Sequence, residues 1–303
     1  MLRRILLASV GALALAGTAF AADLPSRAPP PVYVPPPPTW TGFYVGVNAG
    51  YDWSANNSVN VLTVNAFTNT AALSPLGLST PPAAALGATG SLPVNSSGFI
   101  GGGQIGYNFQ FANSWVVGLE ADFDGIAGAH GSDSVFNATP RIGFAPDVVD
   151  SAIVVKKSID YIGTVRGRFG FLLLPTLLLF GDGGLAYGGV QSSTSIFGGE
   201  NPFTGTGNWA GFGNTSTTRV GWTAGGGVEW MFLPNWSAKV EYLYYNLGNV
   251  TYNVGPEVAT LVGGPVAFVN ATAARTQFNG NVVRAGINYH FNWGAPPAVV
   301  AKY

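Results

Sequence analysis

The chain has 303 residues, of which 43 are glycine, none is cysteine and 9% are charged, with a net charge of -1. Soluble domains carry about 25% charged residues, so this chain lacks the charge of a soluble surface, and its near-neutral balance excludes nucleic acid and polybasic membrane-surface roles. Mean hydropathy is +0.27, yet after the N-terminus no apolar run reaches the ~20 residues of a spanning helix, the longest, Phe169 to Phe180, being broken by Pro175.

Arg3 and Arg4, the apolar run Ile5 to Ala16 and the small-residue site Ala19-Phe20-Ala21 read as a secretory signal peptide, residues 1–21. Exported chains can form disulfides, but without cysteine none is expected. Residues 22–39 are dominated by proline from Pro25 to Pro38. Such a segment favours extended polyproline II and suits a periplasmic linker.

From Trp40 onward the pattern is that of strands, because side chains alternate across a strand with a period of two. Trp40 to Trp53 puts Phe43, Val45, Val47, Ala49, Tyr51 and Trp53 on one face and Tyr44, Asn48 and Asp52 on the other. An uncharged stretch from Ser54 to Ser97 reads as a long loop. Gly98 to Phe111 and Trp115 to Asp124 are the next two strands, joined by the short turn Ala112-Asn113-Ser114. The first turns Phe99, Ile105, Tyr107, Phe109 and Phe111 outward. The second turns Glu120, Asp122 and Asp124 inward.

A second loop is expected over roughly 125–154. Ser158 to Phe171 follows, with Ile159, Tyr161, Val165, Phe169 and Phe171 outward and Asp160, Thr164, Arg166 and Arg168 inward. After the turn at Pro175, Leu177 to Gly189 points Asp182 inward. A third loop covers 190–217. Thr218 to Phe232 and Trp236 to Tyr245, joined at Pro234, place Arg219, Glu229, Lys239 and Glu241 inward. A fourth loop spans 246–277. The last strand then carries Val283, Ala285, Ile287, Tyr289 and Phe291 on one face and Arg284, Gly286, Asn288 and His290 on the other. A C-terminal extension, 292–303, completes the chain.

The reading is all-β: an eight-stranded antiparallel up-and-down transmembrane β-barrel over residues 40–291, with short periplasmic turns and long extracellular loops. A lipid-facing Arg or Lys at mid-membrane costs about 2–4 kcal/mol. The strand charges accordingly fall inward: Glu120, Asp122, Asp124, Asp160, Asp182, Glu229 and Glu241 against Arg166, Arg168, Arg219, Lys239 and Arg284. Acids two apart on one strand share a face, as a metal or acid–base pair requires. An interior just wide enough for side chains favours an ionic network instead. The alternatives are a soluble sandwich and a lipocalin-like binder, which would need a charged exterior. No nucleophile–His–acid arrangement stands out, so no enzyme, metal or cofactor is expected.

Trp40-Thr41-Gly42-Phe43-Tyr44-Val45-Gly46, Val117-Gly118-Leu119-Glu120-Ala121-Asp122, Gly183-Gly184-Leu185-Ala186-Tyr187-Gly188, Val240-Glu241-Tyr242 and the tail Val299-Val300-Ala301-Lys302-Tyr303 together resemble the small outer-membrane β-barrel proteins of rhizobial and Brucella-type bacteria. These are porin-family relatives of the OmpA-like transmembrane barrel. Arg284, Gly286, Tyr289 and Phe291 resemble the closing-strand signal of such barrels. The resemblance implies a Gram-negative outer-membrane location and a structural barrel displaying surface loops. It implies contact with outer-membrane lipid and lipopolysaccharide, and with the barrel-assembly machinery through the last strand. A small-solute channel is the alternative. Some members of the family bind haemin or other surface ligands. For haemin, His130 is the histidine candidate in a loop, although the loops supply few cations for the propionates. The length of the first and last loops, and the lack of charge in the first, depart from the family.

Overall fold

The computed structural model describes residues 39–74, 76–203 and 205–291. The expected signal peptide, all but the last residue of the proline-rich linker and the C-terminal extension lie outside them. The strands are β1 (Gly42–Ser54), β2 (Ser58–Thr68), β3 (Gly90–Pro93), β4 (Ser97–Phe111), β5 (Trp115–Ala127), β6 (His130–Pro140), β7 (Val148–Leu174), β8 (Leu177–Asn201), β9 (Trp209–Leu233), β10 (Trp236–Thr260) and β11 (Val266–Phe291). Two short helices, α1 (Thr70–Leu73) and α2 (Thr80–Gly87), lie between β2 and β3.

The strands form one antiparallel sheet, and eight of them close into a ring in the order β1-β4-β5-β7-β8-β9-β10-β11. Closure is the ladder from Phe43↔Phe291 to Ser54↔Gly280, in which β11 meets β1. The ring's outer face is apolar because alternation keeps one set of side chains there: Val47, Leu119, Val165, Leu185, Val220 and Ile287 are all exposed. Aromatic side chains ring both ends of this band. At the short-turn end Trp115 packs on Phe171 and Trp236 on Tyr289. At the other end Tyr51 meets Phe99, and Trp222 meets Tyr244. From Tyr161 to Phe171 is about ten residues, which at ~3.3 Å each and ~40° tilt gives ~25 Å, the height of a lipid-facing band. Among the described residues, no Asp, Glu, Lys or Arg faces outward between the two aromatic rings.

Three hairpin turns at one end are short. In the β4–β5 turn, Ala112 and Asn113 both take positive φ, 47° and 62°, the pairing that matches strand twist. The long connections at the other end differ from expectation: they are mostly strand. β7 to β11 each run 25 to 27 residues, far past the upper aromatic ring, and β2, β3 and β6 are added beside them. Uncharged Ser, Thr and Asn made these stretches look like loops. In three dimensions Ile153, Val155, Val190, Ile196, Val250 and Val254 recur at inward positions and are buried together.

Above the ring the sheet separates into two four-stranded layers, β3-β2-β11-β10 and β6-β7-β8-β9. The β9–β10 ladder stops at Trp222↔Asn246, while β9 continues on β8 and β10 on β11. The two layers still meet closely at that corner. A Cβ on Gly221 would lie 2.8 Å from the Asn246 carbonyl carbon, and one on Gly211 would lie 3.0 Å from the Gly255 oxygen. Helix α2 packs against β2, β6, β7 and β11, burying Ala83, Ala84 and Ala85. We call this part the head.

Candidate functional site

The ring's interior is built in layers. Next to the short turns, Trp40, Val116, Leu172, Leu178, Phe180 and Met231 form a buried apolar cluster, and the Trp40 indole N–H donates to the Pro175 carbonyl at 3.1 Å. Above it lies the ionic layer. Arg166 of β7 is fully buried and reaches four carboxylates from three other strands. It contacts Asp122 at 2.7 Å, Glu241 at 2.8 Å, Glu120 and Asp182. Arg284 of β11 answers from the opposite wall, contacting Asp122 and Glu241 at 2.7 Å each, and Asp124. Lys239 of β10 contacts Glu120 at 2.8 Å.

Arg168 and Glu229 form a separate ion pair. The Arg168 guanidinium lies 3.7 Å over the Phe180 ring, joining the ionic layer to the apolar one below. Glu229 also accepts from the Asn288 amide at 2.7 Å, and Ser237 bridges Glu229 to His290. Tyr44 donates its hydroxyl to Glu120 at 2.7 Å. Above this layer a void of about 10 Å³, lined in part by Ile100, Asp122 and Arg284, has room for about one water. The apolar core of the head closes the interior beyond it.

Ten of the twelve charged side chains expected to point inward thus meet one another. Asp160 does not. A bulge between Ile159 and Tyr161 shifts the β7 register on β8 and reverses the alternation. Ile159 is buried in the head core, while the Asp160 carboxylate lies outside and accepts from Gln191. Arg219 has inward parity but sits beyond the ionic layer, partly exposed, donating to the Asn249 carbonyl at 3.1 Å. His130 opens β6 on the exposed outer surface of the head, beside Lys156. Of the closing-strand residues, Arg284 and Gly286 face inward, and Tyr289 and Phe291 join the outer aromatic ring.

The sequence reading put Tyr44, Thr164 and Asn288 on the inner faces without assigning them to the charged network, and it did not place Ser237. It likewise put Asp52, buried on β1, on that face but gave it no role. All five share the parity of the charged residues, which was the available signal. Glycine supplied another. Arg284 faces Gly50, Arg166 faces Gly184, Glu241 faces Gly227 and Lys239 faces Gly286. A Cβ on Gly50 would lie 2.6 Å from the Arg284 Cα, so these glycines give long charged side chains room to cross the lumen. At the upper edge Lys157 enters from β7, donating to the Asn56 and Gln277 carbonyls at 2.9 and 2.6 Å. Its burial lowers the ammonium pKa to about 8, against the pull of Asp52.

Glu120, Asp182 and Glu241 bring carboxylate oxygens within 4.8 Å of one another, a donor set that a divalent cation could use. Arg166 contacts all three and Lys239 contacts two, so protein cations already stand where an ion would bind. For acid–base chemistry, every carboxylate of the layer is already paired with a protein cation.

Residues 6–291 match the family described as the outer membrane protein beta-barrel domain. The chain belongs to that family. Among its relatives, the 31 kDa outer-membrane immunogenic proteins of Brucella melitensis and Brucella suis are each 32% identical over 304 residues, covering 96% of this chain and 100% of theirs. The 25 kDa outer-membrane immunogenic protein of Brucella abortus is 26% identical over 293 residues, covering 96% and 99%. Among solved structures, the outer membrane protein OprG of Pseudomonas aeruginosa is 9% identical with a TM-score of 0.35, covering 84% of this chain and 99% of that one. By its family and its Brucella relatives the protein is an outer-membrane β-barrel of the Gram-negative envelope.

Proposed function

We propose that this barrel is a non-conducting, non-enzymatic anchor that holds the two-layered head on the cell surface. In this reading residues 1–21 direct export and 22–39 are a periplasmic linker ahead of the barrel. The short turns face the periplasm, the head faces outward, and the assembly machinery engages the last strand. The observation that carries the reading is the filled interior: an apolar cluster around Trp40, an ionic layer around Arg166 and the head's apolar core follow one another along the axis. Conduction needs a continuous polar path, and each apolar layer interrupts one.

The test is a planar-bilayer recording on single refolded protomers. Inserted protein, verified by heat-dependent gel migration, is expected to give no steady conductance. A reproducible open level from wild-type protein would replace the anchor reading with that of a channel.

A further inference from the structure

The outer face of the head over β6–β9 is a flat sheet surface whose chemistry changes in order with distance from the lipid band. The band ends at Tyr161, whose hydroxyl lies 2.9 Å from that of Thr218. Directly beyond it, His130 and Gln191 stand in one row across the strands, and Lys156 and Asn214 in the next, with serines between them. These rows line a shallow groove of about 500 Å³. The nearby acid, Asp160, is engaged by Gln191. Farther out the surface becomes aromatic. Phe136, Phe197 and Phe212 are 66%, 44% and 61% exposed, the last two in edge contact at 5.5 Å. Phe136 and Phe197 flank Ala152 in a second open groove of about 520 Å³.

Exposed aromatic clusters on an otherwise polar surface mark binding sites. This one is continuous with the surface that meets lipid. An amphiphile seated against the band would place its headgroup at Lys156 and His130. Any extended headgroup would then lie along the phenylalanines, which begin at Phe212, two residues past the Lys156–Asn214 row and so about 5 Å farther out at ~3.3 Å per residue and ~40° tilt. A cation, a histidine and uncharged hydroxyl and amide groups suit a phosphate ester carried on a sugar. Aromatic faces are electron-rich and suit the C–H faces of sugar rings.

We infer that the β6–β9 face of the head binds the phosphorylated saccharide headgroup of an outer-leaflet glycolipid. Lys156 and His130 take the phosphate, and Phe212, Phe197 and Phe136 take successive sugars. This rests on the outward orientation of the head proposed above.

The test titrates the full chain, refolded in neutral detergent, with three purified lipopolysaccharides. One has a complete core saccharide, one is dephosphorylated, and one is truncated to its lipid anchor. K156E with H130A is expected to weaken binding of the complete form at least tenfold and to leave the dephosphorylated form unchanged. F136S with F197S is expected to weaken the complete form by a similar factor and the truncated form little. All these side chains are exposed, and heat-dependent gel migration confirms that each variant folds. Equal affinities for wild type and both variants would overturn the inference. So would a change confined to self-association, which would assign the face to a second copy. A head that is protected from added protease on intact cells would instead refute the orientation.

Discussion

Replacing Arg166 with methionine removes the cation at the centre of the ionic layer while keeping a comparable buried chain. Arg166 contacts Glu120, Asp122, Asp182 and Glu241. The layer then goes from six carboxylates (Glu120, Asp122, Asp124, Asp182, Glu229 and Glu241) against four cations to six against three. Removing one partner of a buried pair costs about 3–5 kcal/mol, because the charge left behind has lost its compensation. The four contacts do not each cost that much. Glu120 and Glu241 keep Lys239 and Arg284, and Asp122 keeps Arg284, whereas the ion pairs of Asp182 run to Arg166 alone. The expected loss is therefore one orphaned carboxylate, about 3–5 kcal/mol. Asp182→Asn in the Arg166→Met background should recover roughly half of it by removing that charge. Equilibrium urea unfolding in lipid vesicles, followed by tryptophan fluorescence, measures both. A single-variant cost below about 1 kcal/mol, the range of exposed pairs, or a double variant no more stable than the single, would refute the argument that the layer is a compensated buried network.

Two further outcomes follow from particular contacts. Gly50→Val places side-chain atoms against the Arg284 backbone across the closing ladder; the variant should fail to close the ring and lose heat-dependent gel migration, and normal migration would contradict the crowding seen there. Lys157 releases its proton near pH 8 in the folded chain and near 10.5 when unfolded, so between those values the unfolded state binds more protons and stability should rise with pH. Lys157→Met should flatten that rise, as read from urea midpoints at pH 8 and pH 10; parallel curves for the two proteins would remove Lys157 as its source.

Much of the ring was legible in the sequence because a strand's two faces are a matter of parity. Glu120, Arg166 and Arg284 could be assigned to the interior one by one, since each lies an even number of residues from a polar neighbour and an odd number from an aromatic one. Asp160 shows where counting fails. One extra residue at the Ile159/Tyr161 bulge reverses every face beyond it, and a bulge depends on how β7 and β8 pair. The head failed differently. Ser, Thr and Asn in alternation with Val and Ile fit either a loop or a strand, and the choice depends on whether a second sheet lies opposite to bury the apolar half.

The sequence by itself determined that the chain crosses the membrane as strands, with a greasy outside and charges turned in, because lipid tolerates no other sorting. Only the tertiary structure decided which cation meets which carboxylate, that glycines across the ladder make room for them, and that the supposed loops form a packed head. Those outcomes depend on pairings between strands distant in sequence, and local alternation carries no record of its partners.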